Sequence, residues 1–186
     1  MTRGGSEGLV ASSLAALAMA GSSLLVAPTP EGLFGAFLAL IVFAIAISDA
    51  RDYIIPDALT AAASGLALVR AGVVGPDAGL EAIGWALLRG AATALPLLLL
   101  MIVYRRVRGR DGMGLGDVKL AAVAGLWLDW ITLFLVIEVA ALAGLAAYLI
   151  AGRLRRRRLK ATAFLPFGLF LAPAIWVGWL GEALLS

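Results

Sequence analysis

Apolar stretches, each closed by a glycine, a proline or a charge, follow one another along this chain and narrow what it can fold into. They lie at about residues 9–27, 32–48, 58–74, 80–104, 118–128, 130–151 and 164–184. A hydrocarbon core of ~30 Å takes ~20 helical residues to cross, and several of these runs approach that length. Within the bilayer every backbone N–H and C=O must find its partner inside its own segment, which leaves helices as the solution for such runs. The chain has 62% hydrophobic residues over 186 positions and a mean hydropathy of +1.01. Soluble domains average about 45–50% apolar, and a fold of this size cannot hide the excess. The expectation is an all-α, polytopic transmembrane helix bundle of about six to seven spans, a single membrane-embedded domain over residues 1–186. Ala18-Met19-Ala20 also resembles a signal-peptidase site after a short apolar region, although the run continues past it to Val26.

The chain contains no Cys and no His. That removes thiolate and imidazole nucleophiles, a Ser-His triad and the usual zinc ligands. Any metal would have to be held by carboxylates alone, and the reading carries no metal and no cofactor.

Basic residues cluster at Arg105-Arg106-Val107-Arg108-Gly109-Arg110 and at Arg153–Lys160, with Arg155 to Arg158 unbroken. Cationic loops mark the cytoplasmic side. Two spans separate the clusters, so both fall on one side, and counting back two more places the 49–57 loop there too. The opposite turns carry Glu31, Asp77, Glu81 and Asp129. A basic loop between spans is read as a topology determinant that meets anionic lipid rather than nucleic acid.

Two acids stand out against this background. Asp117 lies in Gly114-Leu115-Gly116-Asp117-Val118-Lys119-Leu120, directly ahead of an apolar run, and Asp49 closes an earlier run in Ser48-Asp49-Ala50-Arg51-Asp52-Tyr53-Ile54-Ile55-Pro56-Asp57. A mid-bilayer Asp costs roughly 2.5–3.5 kcal/mol on insertion scales, less near an interface, so such residues read as functional by default. Gly114 and Gly116 leave no side chain beside Asp117, which lets another backbone approach. Plainer readings exist: Asp117 as a helix N-cap, Gly112 and Gly116 as a G-x-x-x-G packing face, and Asp52 and Asp57 as loop solvation. Residue type alone does not choose among Asp49, Asp52 and Asp57. Pro56 breaks regularity and favours a helix start just after it. Pro96 is expected to kink the fourth span. Arg89 and Glu138, both within spans, either pair with each other or line a polar path.

The pattern Asp49-x₆-Pro56-Asp57, then Gly114-Leu115-Gly116-Asp117-Val118-Lys119-Leu120, then Leu165-Pro166-Phe167-Gly168, resembles the type IV prepilin peptidases, integral-membrane aspartic proteases of the G-x-G-D kind. The similarity runs from about Ile47 to Leu171, in order and spacing. The resemblance implies Asp49 and Asp117 as the catalytic pair, with Gly114 and Gly116 shaping the approach to Asp117. It implies Pro56 as a helix-resetting proline and Pro166-Phe167-Gly168 as a structural or substrate-facing motif. Lys119 either orients Asp117 or snorkels. Larger members carry a cysteine-paired N-terminal domain linked to methylating the new pilin end. This sequence has no cysteine, which points to a peptidase-only form like those of Flp/Tad-type pili, without a separate N-terminal methyltransferase domain. Position 57 is Asp where short forms often have Asn.

The implied substrate is a prepilin or pseudopilin with a basic leader, a glycine before the cut and an apolar helix after it. Cleavage is then expected at the cytoplasmic face of the bacterial inner membrane, in a multi-pass protein. Two carboxylates within about 3 Å share one proton rather than both ionising. One can take a proton from water while the other polarises the scissile carbonyl. Asp52, Asp57 and Asp111 are read as attracting the leader's basic residues. Two other functions compete: a transporter or channel with a polar path through Asp49, Arg89, Asp117 and Glu138, and a magnesium-dependent lipid phosphotransferase using Asp49, Asp52, Asp111 and Asp117.

Overall fold

The computed structural model describes residues 3–27, 30–109, 113–154 and 166–185. Seven helices follow in order: α1 (Arg3–Val26), α2 (Glu31–Asp52), α3 (Asp57–Val73), α4 (Leu80–Arg108), α5 (Leu115–Trp127), α6 (Trp130–Leu154) and α7 (Gly168–Leu185). Among the described residues there is no strand. Each helix lies over one of the apolar runs, because in an apolar medium a helix pairs its own backbone. Ala18–Ala20 sits inside α1, which packs along α2.

The breaks have local causes. Tyr53 adopts a left-handed conformation (φ 55°) and ends α2, its N–H donating to the Asp49 carbonyl at 3.1 Å. Pro56 is extended (φ −67°, ψ 130°) and α3 begins at Asp57, as the proline geometry requires. Gly109 takes the left-handed position that closes α4. Pro96 falls inside α4, which continues to Arg108, and Pro173 lies inside α7.

Four helices, α2, α4, α6 and α7, are long and apolar enough to cross a membrane. The chain is thus an integral membrane protein. At 13 residues α5 extends about 20 Å, short of the ~30 Å core. It is instead surrounded by protein: Leu120, Val123 and Ala124 are fully buried between α3, α4 and α7. Close approach needs small residues, because apolar area gains nothing over lipid. A Cβ on Gly125 would lie 2.6 Å from the Arg89 carbonyl oxygen and 2.8 Å from the Gly90 Cα, so α4 and α5 touch backbone to backbone. Gly35 of α2 likewise leaves the space that the Trp179 indole of α7 fills. Large side chains such as Leu99, Phe134 and Leu145 point outward, where acyl chains solvate them.

At one end of the bundle Arg70 of α3 grips Glu31 of α2, with Nε donating at 2.8 and 3.0 Å and a terminal nitrogen 2.7 Å away. Trp179 of α7 donates its indole N–H to the same carboxylate at 2.7 Å. The guanidinium lies over the Trp127 ring of α5, 5.5 Å from its centroid. Four helices are fastened here, and the opposite ends of the same four form the cavity described below.

The suggested Arg89–Glu138 pair is not formed. Arg89 faces α5, donating to the Gly125 carbonyl at 3.3 Å and lying 3.9 Å from Asp129, whereas Glu138 is exposed on the outer surface of α6, which packs on α7. Nor do the two residues line a path with Asp49 and Asp117. The cluster Arg155–Arg158, along with Arg110, Asp111, Gly112 and Leu165, lies outside the described residues.

Candidate active site

The C-terminal end of α2, the N-terminal ends of α3 and α5, and the residues entering α7 enclose a cavity of about 320 Å³. Asp49 and Asp117 both line it, although 68 positions separate them in sequence (117 − 49). Around them stand Tyr53, Ile54, Ile55, Leu115 and Phe167 on the apolar side, and Asp57 and Lys119 on the polar side, with Gly114, Gly116 and Pro166 completing the wall.

Asp49 is 4% exposed and is held by main chain rather than by a counter-charge. The Leu169 N–H donates to its Oδ2 at 2.8 Å, and the Gly168 N–H also reaches it. These amides belong to the first turn of α7, where N–H groups have no partner within the helix and the dipole favours an anion. Gly168 has to be glycine for this approach: a Cβ there would come within 2.9 Å of Asp49 Oδ2.

Asp117 is not the N-cap of α5; Gly114 is, in extended conformation, and Asp117 stands at the third helical position. Its carboxylate reaches back to the Gly114 N–H at 3.3 Å while its own N–H donates to the Gly114 carbonyl at 3.2 Å. Glycine has no side chain to return the bond, so this is one arm of a capping box. Asp117 lies ahead of the apolar part of α5, outside the crossing segments. Burial pushes its carboxyl up to about 6, the neighbouring Asp49 charge adds to the rise, and the Gly114 N–H opposes it. The Asp49 charge thus acts on Asp117 across the shared cavity, in the direction that keeps Asp117 protonated to higher pH.

The other anticipated residues fall into three groups. Lys119 does not pair with Asp117: its ammonium bonds Asp57 Oδ1 at 2.6 Å across the cavity rim. Asp52 is exposed and does not line the cavity, and Pro56 acts through the α3 start. Pro166 and Phe167 line the cavity, while Gly168 contributes its backbone. Tyr53, Ile54, Ile55 and Leu115 were not singled out in the sequence as cavity residues. Their signal was the apolar side chains left in a short polar turn. Among the described residues no group of three or more carboxylates gathers at one place.

The type IV leader peptidase family model matches residues 36–149. The prepilin leader peptidase/N-methyltransferase of Burkholderia pseudomallei is 35% identical over 157 residues, covering 82% of this chain and 48% of that protein. The protein of the same description from Aeromonas hydrophila is 30% identical over 168 residues, covering 90% and 56%. That from Pseudomonas aeruginosa is 34% identical over 140 residues, covering 75% and 46%. The chain thus spans about half the length of the curated relatives it matches. No solved structure matches it significantly.

Proposed function

The chain belongs to the type IV leader peptidase family, and from that premise we propose that it is a membrane aspartic endopeptidase that removes the basic leader from type IV prepilins or pseudopilins. The observation that carries the reading is the meeting of Asp49 and Asp117 in one cavity at the ends of four helices. A transporter would need polar groups spread through the bilayer depth. Here Arg89 is engaged at the far end of α5 and Glu138 faces outward.

In the proposed reaction the two carboxyls hold one proton between them. The ionised member accepts a proton from a water whose oxygen attacks the scissile carbonyl carbon, and the protonated member donates to the carbonyl oxygen. Collapse of the tetrahedral gem-diol breaks the C–N bond: one of its hydroxyls returns a proton to the pair as the C=O re-forms, and the leaving nitrogen takes a proton from the pair. One water is consumed and the pair returns to its starting protonation. No side chain becomes covalently attached, in keeping with a chain that has no Cys and no His. The backbone donors from Leu169, Gly168 and Gly114 hold the two acids without a competing cation. A cavity at the cytoplasmic face of the inner membrane is supported by the basic Arg105–Arg108 end of α4, which precedes α5, since cationic ends favour that side. There the junction between a polar leader and an apolar helix would lie level with the acids. The proposal concerns peptide cleavage only; the Flp/Tad-type substrate class is part of it.

Co-expression with a candidate prepilin tests this directly. Wild type should convert it to the shorter form, and Asp49→Asn and Asp117→Asn should each abolish conversion while the protein accumulates normally. Either variant processing at the wild-type rate would refute the reading.

A further inference from the structure

Beside the two acids in the cavity wall stands a side chain that is neither polar nor reactive. Ile55 is only 9% exposed, although its neighbours Tyr53 and Ile54 are 53% and 60% exposed. The turn that carries it is secured on both sides. Tyr53 donates its N–H to the Asp49 carbonyl, the Ser48 hydroxyl donates to the Ile54 carbonyl at 2.7 Å, and Pro56 fixes the backbone that follows. With those ties in place Ile55 is the residue that must point inward.

What it meets there is unusual. A Cβ placed on Gly116, next to Asp117, would lie 3.0 Å from Ile55 Cβ, 3.3 Å from Cδ1 and 3.4 Å from Cγ1. A Cβ placed on Gly168, whose N–H holds Asp49, would lie 2.8 Å from Ile55 Cδ1. One side chain therefore rests against both glycines that flank the acids, one on α5 and one on α7. It is β-branched, and such a side chain is stiff about its first torsion, so it behaves as a spacer of fixed size.

We propose that Ile55 is the positioning residue of this site: wedged between Gly116 and Gly168, it sets how closely the Asp117 segment approaches the Asp49 segment. The proposal rests on the reading of those two acids as the reacting pair. It explains why both glycines are needed, since a methyl at either would press on the wedge. It also explains why a buried isoleucine interrupts an otherwise exposed turn. Reacting groups displaced by about 1 Å can lose about 100-fold in rate, so a spacer of this kind acts on turnover rather than on substrate affinity.

The test uses the full chain in detergent with a prepilin substrate bearing a basic leader, measuring kcat, KM and the pH profile. Ile55→Ala should lower kcat about 10- to 100-fold with KM within about threefold. It should also move the alkaline limb of the profile above the wild-type position, because without the spacer the two segments close up, and both the burial and the Asp49 charge that raise Asp117 increase. Ile55→Val keeps the β-branch against Gly116 but loses Cδ1, the atom that faces Gly168, and should fall between wild type and Ile55→Ala in rate. Gly116→Ala should be slow, since its methyl would press on Ile55 Cβ, 3.0 Å away. The proposal is overturned if Ile55→Ala keeps the wild-type kcat and pH profile. It is also overturned if Ile55→Val is slower than Ile55→Ala, or if Gly116→Ala keeps the wild-type rate. Asp49→Asn and Asp117→Asn are run alongside. Should they still cleave, the peptidase reading itself fails; should they be dead while the Ile55 variants are normal, only the wedge is lost.

Discussion

Replacing Asp117 by Asn should make this protein more stable at neutral pH while removing its activity. The unfolded carboxyl titrates near 3.8 and the folded one near 6. Between those values the folded state binds more protons than the unfolded one, so stability falls as pH rises through that window and stays lowered above it. A shift of about two units corresponds to a ceiling of about 3 kcal/mol at pH 8, and screening by water in an open cavity reduces it to about 1–2 kcal/mol. Asn cannot ionise, yet its side-chain carbonyl still accepts the Gly114 N–H. The substitution removes the penalty and keeps the helix start. For a chain of this length that is worth roughly 2–8 °C in apparent melting temperature. Thermal scans of the detergent-solubilised protein at pH 4 and pH 8 check it: the variant should exceed wild type at pH 8, and the two should converge at pH 4. A variant that melts no higher than wild type at pH 8, or by the same margin at both pH values, would refute the argument that a strained carboxyl is stored in the fold.

Three further outcomes follow from particular contacts. Glu31→Gln weakens the ion pair with Arg70 at the end remote from the cavity; breaking a buried pair costs about 3–5 kcal/mol, and with both groups partly exposed about 2 kcal/mol is expected, seen as a lower melting temperature. Gly125→Ala places a methyl against the backbone of α4, which cannot yield as a side chain would, and should cost about 3 kcal/mol or prevent accumulation altogether. Lys119→Gln leaves Asp57 without its cation at the cavity rim. KM for a basic-leader substrate should then fall a few-fold at low salt, with the gain vanishing near 1 M, where the screening length is about 3 Å. An unchanged KM would exclude Asp57 as a leader contact.

The helices were legible because bilayer physics leaves an apolar run so few options. Even the short α5 was visible, its start marked by glycines and its end by Asp129. Pro56 announced α3, since a proline's fixed geometry acts locally. Side-chain pairing was much less legible. Arg89 and Glu138 were candidates for each other on the strength of opposite charge and similar depth, yet partners are chosen by which faces touch, and α6 turns Glu138 away from α4. The Glu31–Arg70–Trp179 cluster went unseen for the same reason: its members sit in three helices at spacings that no motif records. Lys119 shows the limit within the motif itself. Two residues from Asp117, it points past that acid to the start of α3, because side chains two apart on a helix do not share a face.

Ile55 carries the point furthest. Sequence marks it only as the residue before a proline, and its chemistry suggests nothing. Its importance lies in two absences, the missing Cβ atoms of Gly116 and Gly168, which sit 61 (116 − 55) and 113 (168 − 55) positions away and converge on it only in three dimensions. A glycine can be read in a sequence as permission for something to come close. What comes close, and whether it is a substrate or a piece of the same chain, is decided by packing. Here both glycines face the same isoleucine, and Gly168 faces the Asp49 carboxylate as well; on the wedge proposal, that apolar contact rather than the acids' own charges sets their spacing. Charge alone would drive the carboxylates apart once both ionised, and the wedge together with the Leu169 and Gly114 amides holds each to its own segment at a fixed distance. On the proposed mechanism, a pair so arranged keeps its shared proton by geometry. That is why trimming an inert side chain should alter a pH profile.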